Sequence, residues 1–136
     1  MSQTADPARR VVVTGLGCVT PLGLDAKTTW GALVEGRSGV RPISRFDTSD
    51  YAVKIAAEVQ GEPNLGDVSP REVRRMDRCI LLALGAAREA VSDASIAFEG
   101  SSGNRAGVAI GSGIGGLSSI TTNQDLLREK GPRRVP

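Results

Sequence analysis

Apolar residues recur along this chain in two different periods, and the alternation of those periods predicts the order of its elements. Val11, Val12, Val13 and Thr14 form a β-branched run closed by Gly15 and Gly17, the pattern of a strand buried on both faces. Pro21 and Gly23 shape a loop. Asp25 then suits the N-cap of a helix that runs through Trp30 and Leu33 and ends near Gly36. The stretch GRSGVRPISRFDTSDY is turn-rich and irregular, while residues 53–59 alternate loosely, as an outer strand or one arm of a hairpin would. Ser69-Pro70-Arg71-Glu72 opens another helix: serine accepts at the N-cap, proline suits the first helical position and Glu72 completes a capping box. The stripe Val73, Met76, Ile80, Leu84, Ala87 and Val91 carries helical spacing onward, with Asp77 placed to restart it, so one helix or two in tandem fit. Leu81, Leu82 and Ala83 widen the apolar face until near-complete enclosure is expected. A second apolar strand, residues 106–110, meets glycines at 111, 113, 115 and 116. A helix from about 118 to 128 follows, and GPRRVP reads as loop. Residues 1–8 read as a flexible leader. The order predicts an α/β fold with at least two central strands.

Composition narrows the classes. A chain of 136 residues, 40% hydrophobic and 24% charged, holds one globular domain. One Trp, one Tyr and two Phe leave the core to Val, Ile, Leu and Ala, and offer little for stacking on bases. A net charge of +2, with cations dispersed among acids, argues against a nucleic-acid binder. No apolar run suits a signal peptide or a membrane span, so the expectation is a cytoplasmic protein. Cys18 and Cys79 stand far apart and imply neither metal cluster nor disulfide framework. Histidine is absent, which removes a His general base and His-dependent metal chemistry from these residues.

Three features carry candidate chemistry. Gly111, Gly113 and Gly116 satisfy the dinucleotide pattern G-x-G-x-x-G, yet no second strand with an acidic residue follows about 20 residues on. Close backbone packing is the stronger account of those glycines. Arg71, Arg74, Arg75 and Arg78 follow i, i+3, i+4, i+7 spacing and share one side of a helix. A solvated face is the ordinary reading of such a run, and a docking face for an acidic partner is its competitor. Cys18 and Cys79 lack a base and read as structural.

Taken together, RRVVVTGLGCVTPLG, TTWGALVEGRSGV, FDTSDY, RRMDR, AGVAIGSGIGGL and GPRRV resemble β-ketoacyl-[acyl-carrier-protein] synthases, most of all the type II elongating condensing enzymes, from about residue 9 to residue 135. The resemblance implies a thiolase-like fold, in which two α/β halves, each with a mixed sheet, stack as α/β/α/β/α layers. Residues 9–136 would form the N-terminal portion of the first half, cut before the nucleophilic cysteine. It implies decarboxylative Claisen condensation by the parent enzyme, a cytoplasmic homodimer, without organic cofactor or metal. No catalytic residue lies within these residues, and the chain alone is expected to be inactive. Ile114, with Gly113 and Gly115 beside it, resembles the family's acyl-pocket gate. Arg71, Arg74 and Arg75 resemble the positions that dock acyl carrier protein in its acyl and malonyl forms. A polyketide-type ketosynthase fragment, and a non-catalytic carrier- or nucleotide-binding module, remain the alternatives. An isolated chain is expected to expose apolar surface and aggregate.

Overall fold

A computed structural model describes residues 10–135; the leader expected at 1–8 lies outside them. The elements in order are α1 (Ala26–Val34), β1 (Arg41–Pro42), β2 (Ile55–Ala56), α2 (Pro70–Val73), α3 (Arg78–Ala94), α4 (Gly100–Gly103) and α5 (Leu117–Lys130), closed by a 3-10 turn at Pro132–Arg134.

The capping signals hold. Asp25 accepts the Thr28 N–H at 2.6 Å and starts α1, which stops before Gly36. Ser69 accepts the Glu72 N–H at 3.3 Å while Glu72 accepts the Ser69 N–H at 3.1 Å, completing the capping box of α2. The helical stripe from Val73 resolves into two helices, because the chain turns after α2 and Asp77 starts α3. The closing segment is a 3-10 turn rather than plain loop, and α4 was not signalled by any periodicity.

α3 is the scaffold of the fold. The segment 15–18 runs along it so closely that a Cβ at Gly15 would collide with the Ala90 carbonyl, and one at Gly17 with the Ala86 carbonyl. Two carboxylates one helical turn apart hold the segment there: Asp93 accepts the Leu16 N–H and Glu89 the Cys18 N–H, both at 2.9 Å. The second oxygen of Glu89 accepts the Ala26 N–H at 2.8 Å, so one side chain joins α3, the loop and the first turn of α1. Buried Thr29 shares a 3.0 Å hydrogen bond with Thr20, and the Pro63 ring packs on buried Gly85.

The predicted central strands do not form. Residues 11–14 and 106–110 adopt no ladder, and Val11 is 97% exposed and Val108 88%. A strand exists only through hydrogen bonds to a neighbour, and the described residues supply none for either run. The sheet is one short antiparallel pair, Arg41 opposite Ala56 and Pro42 opposite Ile55, which places the predicted outer strand in a hairpin-like pairing. Nor is α3 enclosed: Leu81 and Gly85 are buried, while Ile80 and Val91 on the other side face solvent. Among the described residues, Ala32, 2% exposed, and Leu81, 8% exposed, are buried together with Pro63 in a thin core. No helix among the described residues is long and apolar enough to cross a membrane.

Candidate functional site

The arginines part company at Asp77. Arg71, Arg74 and Arg75 are exposed on α2 and the turn after it. Arg78 begins α3 and turns inward, donating to Glu62 Oε1 at 2.9 Å and to the carbonyls of Gly61 and Val59 at 3.1 and 3.2 Å. It fastens the 59–62 loop to the helix and does not belong to the exposed face. Uniform helical spacing hid this, because the helix breaks between Arg75 and Arg78.

Arg74 and Arg75 line a groove whose other wall is the first turns of α5, through Ser118, Ser119, Thr122 and Asn123. Arg71 lies one turn earlier, outside that groove.

The glycine turn stands immediately before α5. The Gly115 N–H donates to Ser112 Oγ at 2.9 Å, which closes the turn, and Gly115 takes φ 76°, a conformation open to glycine. Ile114 sits at its tip, 69% exposed. Around Gly111, Gly113 and Gly115 an added Cβ would meet open space. Gly116 is the tight one, since a Cβ there would collide with the Asp77 carboxylate. Asp77 also accepts the Ser119 hydroxyl at 2.7 Å.

That carboxylate weighs against a phosphate cradle. The N–H groups at the start of a helix attract an anion, and here a negative side chain already lies beside them. A pyrophosphate approaching Gly116 would meet like charge. Sequence reasoning did not assign Asp77 and Ser119 to this site, because the link spans 42 residues of chain. The available signal was a serine at the third position of a helix whose N-cap, Gly116, has no side chain to offer.

A second cleft lies between α1 and α3, bordered by Leu16, Trp30, Leu33, Arg88 and Asp93. Cys18 opens onto it with a free, half-buried thiol.

A profile of the β-ketoacyl synthase N-terminal domain matches residues 8–135. The chain belongs to that family. Its relatives include "3-oxoacyl-[acyl-carrier-protein] synthase 2" of Staphylococcus aureus (strain N315), 43% identical over 127 residues, covering 93% of this chain and 31% of the relative. A Coxiella burnetii protein of the same name shows the same identity over the same shares. Among solved structures, the ishigamide ketosynthase/chain length factor matches with a TM-score of 0.66 at 29% identity, over 93% of this chain and 32% of that one. The ketosynthase, thiolase-like fold therefore extends to this chain. The chain spans about a third of the length of the curated relatives it matches.

Proposed function

We propose that this β-ketoacyl synthase domain is the N-terminal part of an enzyme that elongates acyl chains on a carrier protein by decarboxylative Claisen condensation, in the manner of fatty-acid synthesis. The observation that carries this reading is 43% identity held over 93% of the chain to proteins of one name from two different bacteria. The polyketide-type alternative ranks below it, since the ketosynthase/chain length factor likeness rests on 29% identity.

In that reaction a cysteine thiolate takes the acyl group from the carrier thioester and releases the carrier thiol. Malonyl carrier protein then loses carbon dioxide, and its carbanion attacks the acyl-cysteine and expels the thiolate. The residues that perform these steps belong to the two thirds of the enzyme that this chain does not match. This chain has no histidine to take a proton from Cys18 or Cys79. Its own contribution is recognition and shape: Arg71, Arg74 and Arg75 dock the acidic carrier, and Ile114 with Gly113 and Gly115 gates the acyl pocket. The exposed runs 11–14 and 106–110 become strands of the mixed sheet when the missing strands pair with them.

Binding of fluorescent acyl carrier protein tests the docking face. The expected result is saturable binding that weakens with salt and falls about tenfold or more in the Arg74→Glu, Arg75→Glu double variant. Unchanged, salt-insensitive affinity would reduce these arginines to a solvated face. Thermal stabilisation by NAD(P) would instead support the nucleotide reading. Reading the coding sequence past Pro136 for an Ala-Cys-Ser elbow and two later histidines checks the enzyme as a whole.

A further inference from the structure

Asp77 stands at the N-cap of α3, yet its side chain makes no cap bond there. Its carboxylate serves α5 instead. One oxygen accepts the Ser119 hydroxyl at 2.7 Å, and the other lies against Gly116, the N-cap of α5 that makes no side-chain cap of its own. A carboxylate beside the first turn of a helix is favoured by the unpaired N–H groups at that end. Asp77 thus braces the first turn of α5, through the Ser119 hydroxyl, from another part of the chain.

Its neighbours on both sides matter. Arg75 stands two positions earlier, in a turn held by Arg75 N–H to Glu72 carbonyl and Met76 N–H to Val73 carbonyl bonds of 2.9 and 3.1 Å. Gly116 follows directly on the turn of Ser112 to Gly115 that presents Ile114. An added Cβ at Gly111, Gly113 or Gly115 would meet open space, whereas one at Gly116 would strike Asp77, so the Asp77 contact is a close approach at the end of this turn.

We propose that Asp77 is a positioning residue through which an acidic carrier protein, docked on Arg74 and Arg75, restrains the glycine turn that carries Ile114. The inference rests on the docking reading above and adds a coupling between docking face and gate. A displacement of the arginine turn carries the Asp77 carboxylate with it, and Ser119 and Gly116 follow. Ligand occupancy is thereby felt where chain length would be selected.

Hydrogen exchange of the whole chain, read by mass spectrometry with and without saturating acyl carrier protein, tests it. Without carrier, Ser119→Ala is expected to speed exchange over residues 111–117 by roughly threefold while residues 81–85 keep the parent rate. With carrier, exchange over 111–117 slows in the parent chain, does not slow in Ser119→Ala, and slows again in Ser119→Thr, which keeps the hydroxyl. Carrier affinity is measured separately by fluorescence for each serine variant, so that exchange is compared at equal carrier occupancy. Carrier binding that leaves 111–117 unchanged, or slows it equally in Ser119→Ala, overturns the coupling and leaves the docking face standing. Absence of carrier binding overturns the docking face and the relay together. In that event, unaltered exchange in carrier-free Ser119→Ala also overturns the positioning role.

Discussion

At the residue scale, Glu89 and Gly17 explain how so small a core holds its shape. Glu89 accepts from Cys18 and Ala26, and no apolar substitute can replace both bonds. Hydrogen bonds to a charged group contribute about 1.5–3 kcal/mol each. Glu89 is only half-buried, so water replaces part of both bonds, and Glu89→Ala is expected to cost less than their sum, about 2–4 kcal/mol, read as a lower urea midpoint of the helical signal. Gly17 and Gly31 separate two meanings of glycine. A Cβ at Gly17 strikes the α3 backbone, so Gly17→Ala should destabilise by about 1–3 kcal/mol. Gly31 lies inside α1 with open space around it, so Gly31→Ala should stabilise by about 0.5–1 kcal/mol. Equal effects of the two alanines would mean that the close approach to α3 is absent in solution.

At the element scale, helix starts were legible because their causes are local. Asp25 with Thr28, and Ser69 with Glu72, lie within four residues of each other, and both caps form as their spacing required. The same bonds set an acid limit. Thr28, through its N–H and then its hydroxyl, holds Asp25 below its usual 3.8, and the Ser69 hydroxyl and N–H hold Glu72 below 4.5. A lowered folded-state pKa means stability that is complete above the unfolded value and lost as pH falls through the folded one. Helical ellipticity at 222 nm should therefore be level from neutral pH to about 5, then decline through and below 4.5 and 3.8. Asp25→Asn and Glu72→Gln should flatten that decline. A loss of helix centred near neutrality would contradict this account. The break between α2 and α3 was legible only as an option at Asp77, and Arg78 was misplaced with the exposed arginines for the same reason.

At the scale of the whole molecule, surface decides behaviour. A compact monomer of 14.1 kDa exposes about 6,700 Å² by the scaling of area with mass, whereas this chain exposes 11254 Å². Val11, Val13, Val108 and Ile110 are part of that excess, as are Trp30 and Leu33 beside the cleft between α1 and α3. Unpaired β-branched runs and open apolar patches drive association. The isolated chain is expected to bind a hydrophobic dye such as ANS and to scatter light increasingly with concentration. A cooperative melt of a monomer, independent of concentration and without dye binding, would refute that expectation.

What the sequence alone determined is local or repeated in the family. The caps at Asp25 and Ser69, the helical stripes and the ordered set of motifs need only neighbours in the chain, or a pattern shared with relatives, to be read. The apolar runs at 11–14 and 106–110 declared a need for burial, but a strand is completed by partners that periodicity cannot see. Only the tertiary structure placed Gly15 and Gly17 against α3, turned Arg78 away from Arg74 and Arg75, and set Asp77 beside Gly116 and Ser119. Each of those outcomes depends on which distant backbone arrives next to a residue, and sequence spacing does not encode that arrival.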